Sequence, residues 1–323
     1  MKHVDVGGER ISAIGLGCWQ FGSKDWNYGN RYAQETAVEL VHTALDLGVN
    51  LIDTAEVYAH GVSETIVGRA IAGRRDDVFL ATKVLPVMPT AARVAEHGRL
   101  SSLRLGVEAI DLYQIHWPNP VVPLTAQMEG MRRLQDDGLV RHVGVSNFSR
   151  KRWEEAETAL GAPVLSNQVQ YSLLMPKPSR ELVPYAQDHD RLVIAYSPLA
   201  KGLLGGKYDA DHLPGGSART MDPLWLPENV RRAGPMIELV RRIADAHGAT
   251  PAQVSLAWLI SHDNVAVIPG ASSVEQLRRN IEAGDLDLKD GEIEELSAAS
   301  DAFEPLSKPA TAREYVRGFT SRN

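Results

Sequence analysis

Short apolar runs and helical stretches alternate along this chain about eight times, and this alternation constrains the fold more than any other feature. Each run is rich in Val and Ile and is followed by a loop and a stretch of helical period. Strands that are apolar at nearly every position are typical of a parallel sheet covered by helices. Eight such units predict an α/β fold, a (β/α)8 TIM barrel.

The boundaries of these elements can be read from the pattern. The strands are predicted at residues 13–16, 50–52, 78–81, 112–115, 142–145, 165–169, 192–195 and 265–268. The helical stretches include residues 35–47, 63–72, 91–105, 124–136, 150–160, 180–188, 229–246, 251–261 and 274–282.

Two segments depart from the alternation. The first residues have the pattern of a hairpin, with Gly7 and Gly8 as the turn between residues 2–6 and 10–11. Residues 201–227, after the seventh strand, contain five glycines and three prolines, which predicts a long lid or binding loop. No segment has the composition of a linker, so we expect one domain over residues 1–323.

Glycine motifs test the alternative of an open, doubly wound sheet that binds a dinucleotide. Such a fold normally has a third glycine in the turn after its first strand, where this chain has Gln20. Residues 202–207 also differ from a phosphate-binding P-loop, since the spacing is one residue short and Tyr208 stands where Ser or Thr is required. The closed barrel is therefore favoured.

Composition excludes several classes of protein. A formal net charge of -7 and a pI near 5.8 argue against a nucleic-acid binder that uses a basic face. Cys18 is the only cysteine, so no internal disulfide or cysteine-based metal site is expected, and the histidines lack metal-binding spacing. Residues 1–5 lack the apolar core of a signal peptide, and no apolar run approaches membrane-spanning length. We expect a cytoplasmic protein with no membrane or nucleic-acid partner and no metal.

Polar residues follow the predicted strands with unusual regularity. In a parallel barrel the active site lies at the carboxyl ends of the strands, so these side chains should point into one bowl. They are Asp53, Lys83, His116, Ser146, Asn147, Gln168, Gln170, Tyr196, Ser197 and Gly270.

Four of these strand-end and loop residues suit acid–base chemistry on a carbonyl oxygen. Tyr58 follows Asp53 in the same loop, and a tyrosine has an ordinary pKa of about 10. A neighbouring ammonium from Lys83 would lower the pKa of that phenol, and Asp53 could hold Lys83 by an ion pair. His116 could hydrogen-bond and orient the substrate oxygen. Taken singly, Asp53 could be a helix cap and His116 a core histidine; their joint placement favours the catalytic interpretation.

The sequence resembles the aldo-keto reductase family over essentially its whole length. The matching segments are GVNLIDTAEVYAHGVSE, FLATK, DLYQIHWP, VRHVGVSNFS, SNQVQYSLL, AYSPLAKGLLGGKY and PGASSVEQLRRN. The resemblance implies NAD(P)H-dependent reduction of an aldehyde or ketone to an alcohol, or the reverse reaction. The cofactor would supply the hydride and Tyr58 the proton, with Lys83 and Asp53 tuning the phenol and His116 positioning the carbonyl.

The same resemblance implies a cofactor that lies extended across the barrel mouth without a Rossmann motif. Ser146, Asn147 and Gln168 would bond the nicotinamide carboxamide, and Tyr196 would stack on its ring. The pyrophosphate would be lined by Ser197, Pro198, Leu199 and Lys207. The adenosine end would be held by Gly270, Ser272, Gln276 and Asn280, where a helix begins. The implied cofactor-binding set is Trp19, Asp53, Ser146, Asn147, Gln168, Tyr196, Ser197, Pro198, Leu199, Lys207, Arg219, Gly270, Ser272, Gln276 and Asn280.

The choice between NADPH and NADH depends on how a 2′-phosphate would be held. Many relatives place Lys or Arg in the turn at residues 270–273, where this chain has Gly-Ala-Ser-Ser. That version resembles the branch containing potassium-channel β subunits, in which a serine in the turn and an arginine in the long loop serve instead. Ser272 and Arg219 are the candidates, with help from Arg278 or Arg279. We expect NADPH, with NADH as the alternative.

Aromatic residues in the strand-end loops predict a substrate wall. With Tyr58 and His116, the expected pocket is formed by Trp19, Trp26, Trp117 and Trp225. Trp153 and Trp258 lie inside helices and are expected in the core, Cys18 is expected to be packed or next to the cofactor, and His60 is either solvated or pocket-lining. The partner implied is a small carbonyl or alcohol.

The main alternative to a reductase is a cofactor-binding regulatory subunit with vestigial catalysis, since the same branch includes such proteins. A third possibility, a barrel with hydrolytic chemistry, would lack a metal site or a nucleophile–base pair in this sequence.

Overall fold

Eight parallel strands form the central sheet, preceded by a two-stranded hairpin. The structure, a computed structural model, describes residues 1–24, 28–29, 33–85, 87–215, 219 and 222–306. The hairpin consists of β1 (His3–Val6) and β2 (Glu9–Ser12). The sheet consists of β3 (Leu16–Gly17), β4 (Leu51–Asp53), β5 (Phe79–Val84), β6 (Ile110–Ile115), β7 (Val140–Ser146), β8 (Ser166–Gln170), β9 (Leu192–Tyr196) and β10 (Val265–Val267).

The strands lie side by side in sequence order, from β3 to β10, and every neighbouring pair is parallel. The last strand then meets the first. Val267 forms a parallel bridge with Ile14, with its amide donating to the Ala13 carbonyl and its carbonyl accepting from the Gly15 amide, each at 2.8 Å. This contact closes the sheet, and the predicted (β/α)8 barrel is confirmed.

Helices follow the barrel strands and cover the sheet. They are α1 (Gln34–Asp46), α2 (Val62–Ile71), α3 (Ala91–Leu105), α4 (Leu124–Asp136), α5 (Arg150–Leu160), α6 (Lys177–Asp188), α7 (Pro227–His247), α8 (Pro251–Ile260), α9 (Val274–Glu282) and α10 (Asp290–Ala302). Helix α10 is not among the helices predicted from the sequence, and α6 begins earlier than residue 180 because Pro178 fits the first turn of a helix.

The hairpin turn has the geometry that its glycines allow. Val6 pairs with Glu9, and Gly7 and Gly8 between them have φ values of +58° and +80°. A two-residue turn with positive φ at its central positions matches the twist of the flanking strands, and glycine adopts it without strain. The predicted hairpin is therefore present, with its second strand longer than residues 10–11.

Six of the eight strands, all except β6 and β10, extend one to three residues beyond the predicted apolar runs, and this places polar residues in the barrel mouth. Asp53, Ser146 and Tyr196 are the last residues of β4, β7 and β9, and Lys83 is next to last in β5. All of these strands run in one direction, so their carboxyl ends form a single rim.

The remaining expectations about the whole chain have mixed outcomes. Trp153 and Trp258 are fully buried, as predicted for core residues. None of the described helices combines the length and apolar character needed to cross a membrane. The single domain over residues 1–323 stays a prediction, and its last part, 307–323, lies outside the described residues.

Two helical glycines provide a matched test of the packing between α2 and α3. A Cβ at Gly68 would overlap the backbone of Leu105, whereas a Cβ at Gly234 would meet nothing within 4 Å. Gly68→Ala should therefore lower the free energy of unfolding by about 1–3 kcal/mol despite alanine's better helix propensity. Gly234→Ala should raise it by about 0.5–1 kcal/mol. Urea unfolding measures both, and a stabilising Gly68→Ala would contradict the close helix contact.

Candidate active site

A fully buried lysine lies at the centre of the barrel mouth. The Nζ atom of Lys83 donates to Asp53 Oδ1 at 2.6 Å and to the Thr54 carbonyl at 2.8 Å, and it lies 3.3 Å from the Tyr58 hydroxyl. These three contacts use all three donors of an ammonium group. The structure thus brings together the lysine, the carboxylate and the phenol that the sequence analysis predicted would meet.

The carboxylate of Asp53 is held on both sides. Its second oxygen accepts from Gln168 Nε2 at 2.7 Å, and the residue is 1% exposed. Burial alone would lower the pKa of Lys83, but Asp53 and Tyr58 reverse this and raise it above its ordinary value. Burial raises the pKa of Asp53. The charge of Lys83 opposes that rise, as do the hydrogen bonds that Lys83 and the side-chain amide of Gln168 donate to the carboxylate. Lys83 is consequently an ammonium at neutral pH.

The pKa of Tyr58 corrects an expectation. The sequence predicts that Lys83 lowers the pKa of Tyr58, whereas in the structure burial is the larger effect and raises it above the ordinary value. The ammonium of Lys83 still opposes that rise. At neutral pH the phenol is therefore protonated, which is the form that can donate a proton.

His116 follows β6 and faces the phenol. The ring centroids of His116 and Tyr58 are 5.8 Å apart and the rings are nearly perpendicular. Burial, with a smaller contribution from the charge of Lys83, lowers the pKa of His116 to about 3. The Nδ1 atom is buried and has no hydrogen-bond partner among the described residues. A neutral imidazole can donate a hydrogen bond from its protonated nitrogen to a carbonyl oxygen, but it brings no charge to it.

Glu56 fixes the loop that carries Tyr58. Its carboxylate accepts from the Leu85 amide at 2.5 Å and contacts His97 Nδ1 at 2.7 Å, while its own amide donates to the Lys83 carbonyl at 3.3 Å. These bonds tie the loop to β5 and α3. The sequence analysis did not identify this role, because the partners lie on elements distant in sequence.

A second buried carboxylate, Glu64, joins three elements behind the same loop. It accepts from Arg104 Nε at 2.5 Å and from Thr82 Oγ1 at 2.7 Å. Its side chain is fully buried, so the guanidinium and the hydroxyl compensate the loss of water around the charge. Helix α2 is thereby fixed relative to β5 and α3.

The residues implied for the nicotinamide form one hydrogen-bonded cluster. Asn147 accepts from the Tyr196 hydroxyl at 2.9 Å and donates to the Ser146 hydroxyl at 3.0 Å and to the His116 carbonyl at 3.2 Å. The Ser146 hydroxyl in turn donates to the Gln168 carbonyl at 2.8 Å. Asn147 has a φ of +64°, a conformation that asparagine tolerates better than most residues. The cluster connects directly to Asp53 through Gln168.

The long loop after β9 is held together by charges and aromatic rings. Lys201 forms an ion pair with Asp222 at 2.8 Å, and Arg219 Nε donates to the Lys201 carbonyl at 3.0 Å. The Arg219 guanidinium lies 5.7 Å from the ring centre of Tyr208 and 5.8 Å from that of Trp225. The sequence analysis did not predict the Lys201–Asp222 pair, whose two members are far apart in sequence.

The other residues implied for the pyrophosphate also lie along this loop. Ser197 and Leu199 are half-buried, Pro198 is buried and Lys207 is exposed. Ser197, Pro198 and Leu199 follow the end of β9 directly, which keeps them on the rim.

The adenosine-end residues lie in α9 and in the turn that precedes it. Ser273 caps this helix by accepting from the Gln276 amide, and the Gln276 side chain accepts from both the amide and the hydroxyl of Ser272. Asn280 Nδ2 donates to the Gly270 carbonyl at 3.4 Å. Ser272 and Gln276 are exposed at a helix N-terminus, where anions are favoured.

The predicted tryptophan wall is only partly present. Trp19 and Trp117 are 41% and 49% exposed, and Trp117 stacks on His116 with ring centroids 6.5 Å apart. Trp225 is 6% exposed and packs against Tyr208 inside the long loop, so it offers little surface to a substrate. Trp26 lies outside the described residues.

Two further side chains near the site can now be placed. Cys18 is free and fully buried, and burial raises the pKa of its thiol well above the ordinary value. His60 is exposed. In the described part of the chain, no group of three or more His, Cys, Asp or Glu side chains could hold a metal ion.

Comparison with known proteins identifies the family to which this site belongs. The sequence profile described as "Aldo/keto reductase family" matches residues 13–301. The chain is an aldo/keto reductase. The resemblance seen in the sequence motifs is therefore confirmed.

Three similar proteins illustrate the relationship. An uncharacterized oxidoreductase of Mycobacterium tuberculosis (strain ATCC 25618 / H37Rv) is 50% identical over 323 residues, covering all of both chains. The aldo-keto reductase yakc [NADP(+)] of Schizosaccharomyces pombe is 30% identical and covers 93% of this chain and 92% of its own. The crystal structure of an aldo/keto reductase of Klebsiella pneumoniae in complex with NADP and acetate has a TM-score of 0.72 at 31% identity, covering 95% and 97% of the two chains. None of these three names describes a regulatory subunit.

The lowered pKa of His116 predicts a dependence of stability on pH. Between pH 7 and pH 5 an unfolded histidine takes up a proton, since its ordinary pKa is about 6.5, whereas folded His116 has a pKa of about 3 and does not. The unfolded state binds more protons over this range, so acidification should cost about 2 kcal/mol of stability through this residue.

Urea unfolding at the two pH values measures this loss. The variant His116→Gln should lose about 2 kcal/mol less than the wild type between pH 7 and pH 5. His212→Gln, at an exposed histidine, controls for the general effect of removing an imidazole. Equal losses in His116→Gln and wild type would contradict a neutral His116.

Proposed function

We propose that this chain reduces an aldehyde or ketone to an alcohol with NADPH, or catalyses the reverse oxidation, and that Tyr58 donates the proton. One observation carries the proposal: the Tyr58 hydroxyl lies 3.3 Å from a buried ammonium that is itself held by Asp53 at 2.6 Å. A phenol next to a fixed positive charge can lose its proton during a reaction at neutral pH, because the ammonium stabilises the phenolate that forms.

The proton balance follows from these contacts. When bound, the reduced nicotinamide supplies a hydride to the carbonyl carbon. Tyr58 gives its proton to the carbonyl oxygen and becomes a phenolate, which Lys83 stabilises until a proton from solvent restores the phenol. His116 is neutral, and the centroid of its ring lies 5.8 Å from that of Tyr58. It is therefore placed to orient the same oxygen by a hydrogen bond.

The described residues fit a dinucleotide cofactor. At one end of the rim the Ser146, Asn147 and Gln168 cluster offers the amide and hydroxyl groups that a carboxamide needs. At the other end α9 presents its N-terminus. The chain would hold the nicotinamide at the first end, against Tyr196, and the adenosine phosphates at the second, with the loop of Lys201 and Asp222 between them.

We favour NADPH over NADH for this site. Ser272 is exposed at the start of α9, and Arg219 in the long loop supplies the guanidinium that the serine-containing turn lacks. The names of the S. pombe relative and of the K. pneumoniae complex, which mention NADP, support the same preference. We also propose that the substrate is a small carbonyl or alcohol and that the protein is cytoplasmic; the free thiol of Cys18 suits a reducing compartment.

Replacing the proposed proton donor tests this function. Tyr58→Phe should lower kcat for a good aldehyde by about 10²–10⁴, the usual contribution of a general acid. The affinity for NADPH should change little, because the hydroxyl contacts Lys83 rather than the cofactor cluster. Spectrophotometric assays of NADPH oxidation give kcat, and titration with NADPH followed by protein fluorescence gives the affinity for the cofactor.

The matched control removes a hydroxyl from a tyrosine outside the mouth. Tyr185 on α6 donates to Glu157, so Tyr185→Phe should leave kcat within about twofold of wild type. An unchanged kcat in Tyr58→Phe would exclude the proposed role.

Running the same assays with NADH tests the cofactor preference of the wild-type enzyme. A higher kcat/KM for NADH than for NADPH would contradict the role assigned to Ser272 and Arg219.

A further inference from the structure

A buried glutamine in the barrel interior has a donor that the proposed mechanism does not use. Gln114 lies in β6, opposite Lys83 of β5 and Gly144 of β7, and it is fully buried. Its Oε1 atom accepts from the Ser166 hydroxyl of β8 at 3.3 Å. Its Nε2 atom is buried and has no hydrogen-bond partner of good geometry among the described residues. An amide donor without a full partner is unfavourable in a protein interior, so its presence calls for a physical reason.

The neighbouring strand leaves room for this side chain. A Cβ at Gly144 would come within 2.8 Å of Gln114 Cγ and within 2.4 Å of Ser166 Oγ. Any larger residue at position 144 would therefore displace both members of the hydrogen bond that anchors the amide. The side chain of Gln114 is thus held inside the barrel by the glycine beside it and by the serine hydroxyl.

The amide of Gln114 acts on the carboxylate of Asp53. Gln114 opposes the rise in the pKa of Asp53 as a weak donor, after the contributions of Lys83 and Gln168. Lys83 donates to Oδ1 of that carboxylate and Gln168 to Oδ2, which leaves further lone pairs on both oxygens. The opposite orientation of the Gln114 amide would turn its oxygen towards the carboxylate, where two acceptors repel. The buried donor is therefore matched to an anion that can accept from it.

Asp53 is the group in this cluster whose protonation can change as the pH falls below neutral. The titratable groups that face it are Lys83, Tyr58 and Cys18, and the pKa of each is raised, so each stays protonated from acidic to neutral pH. If Asp53 takes up a proton, its charge no longer opposes the effect of burial on Lys83, which lowers the pKa of the ammonium. A neutral amine does not stabilise the phenolate of Tyr58. The proposed chemistry therefore requires an ionised Asp53.

We propose that Gln114 is a positioning residue that acts through Asp53: its side-chain amide is a third donor to the carboxylate, beside Lys83 and Gln168, and keeps it ionised. The donor is needed most when Tyr58 becomes a phenolate. Lys83 then shares its charge between the phenolate and Asp53, and Gln114 compensates the carboxylate for the part that it loses. This inference rests on the proposed reductase function and adds a residue that supports the proton donor from inside the barrel.

The acidic side of the pH–rate profile measures this role. Gln114→Met keeps the length of the side chain and removes the amide, so Asp53 should take up a proton at higher pH, since a donor to a carboxylate favours its charged form. With benzaldehyde and NADPH, the ratio of kcat/KM at about pH 5.5 to that at about pH 7.5 should be about three- to tenfold lower in the variant than in the wild type. His116, with a pKa of about 3, does not titrate in this range. An unchanged ratio in Gln114→Met would overturn the inference.

A second buried glutamine provides the matched control. Gln127 on α4 is also fully buried, and its amide donates to the Val122 carbonyl at 2.8 Å. Gln127→Met should change the ratio by less than about twofold, whatever it does to stability. A shift as large as that of Gln114→Met would assign the effect to the loss of any buried amide and would also overturn the inference. Ser166→Ala removes only the anchor of the Gln114 amide and should lower the ratio by less. It replaces Gln114→Met if that variant does not fold, and an unchanged ratio in it would then have the same consequence.

Urea unfolding tests the role of Gln114 without turnover. The pKa of folded Asp53 is raised by burial and should rise further in Gln114→Met, so the folded variant takes up more of a proton than the folded wild type between about pH 7 and about pH 5. Because the folded state binds this proton, the variant should lose less stability than the wild type over that range. An equal or larger loss would contradict the inference. If the wild type reduces no aldehyde, the proposed function fails, and this comparison still decides whether Gln114 keeps Asp53 ionised.

Discussion

The buried ion pair between Lys83 and Asp53 is the interaction on which the active site depends. Two charges removed from water are costly, and the cost is compensated only where geometry and additional hydrogen bonds are good. Here the Thr54 carbonyl accepts a further hydrogen bond from the Lys83 ammonium at 2.8 Å, and the Gln168 side-chain amide donates one to the Asp53 carboxylate at 2.7 Å. The pair is possible because β4 and β5 are adjacent in a closed barrel, which sets their carboxyl ends side by side.

The pair fixes the ammonium, and the loop after β4 brings the phenol to it. After Tyr58 the chain turns through Ala59 and His60 with φ values of +48° and +56°, a left-handed conformation that costs such residues about 1–2 kcal/mol each. The contacts of Glu56 and Glu64 with β5 and α3 offset that cost. The residues proposed for the chemistry thus lie on or next to rigid strand ends.

Most of the barrel and the meeting of the four side chains proposed to be catalytic could be predicted from the sequence. Strand–helix alternation is a local pattern, and residues at strand ends must share one rim in a parallel barrel. The raised pKa of Tyr58 could not be predicted, because it depends on how completely the phenol is buried. The Glu64–Arg104 contact and the burial of Trp225 likewise depend on packing between segments far apart in sequence. Helix α10 has few buried residues and so a weak apolar period.

A double-mutant cycle between residues 53 and 83 tests the central ion pair most directly. Asp53→Asn and Lys83→Met each leave one buried charge without its partner, so each should lower the free energy of unfolding by about 3–5 kcal/mol. The double variant leaves neither charge and should be no less stable than either single variant, which is a coupling of several kcal/mol. Additive losses, with the double variant destabilised by the sum of the two, would contradict the account.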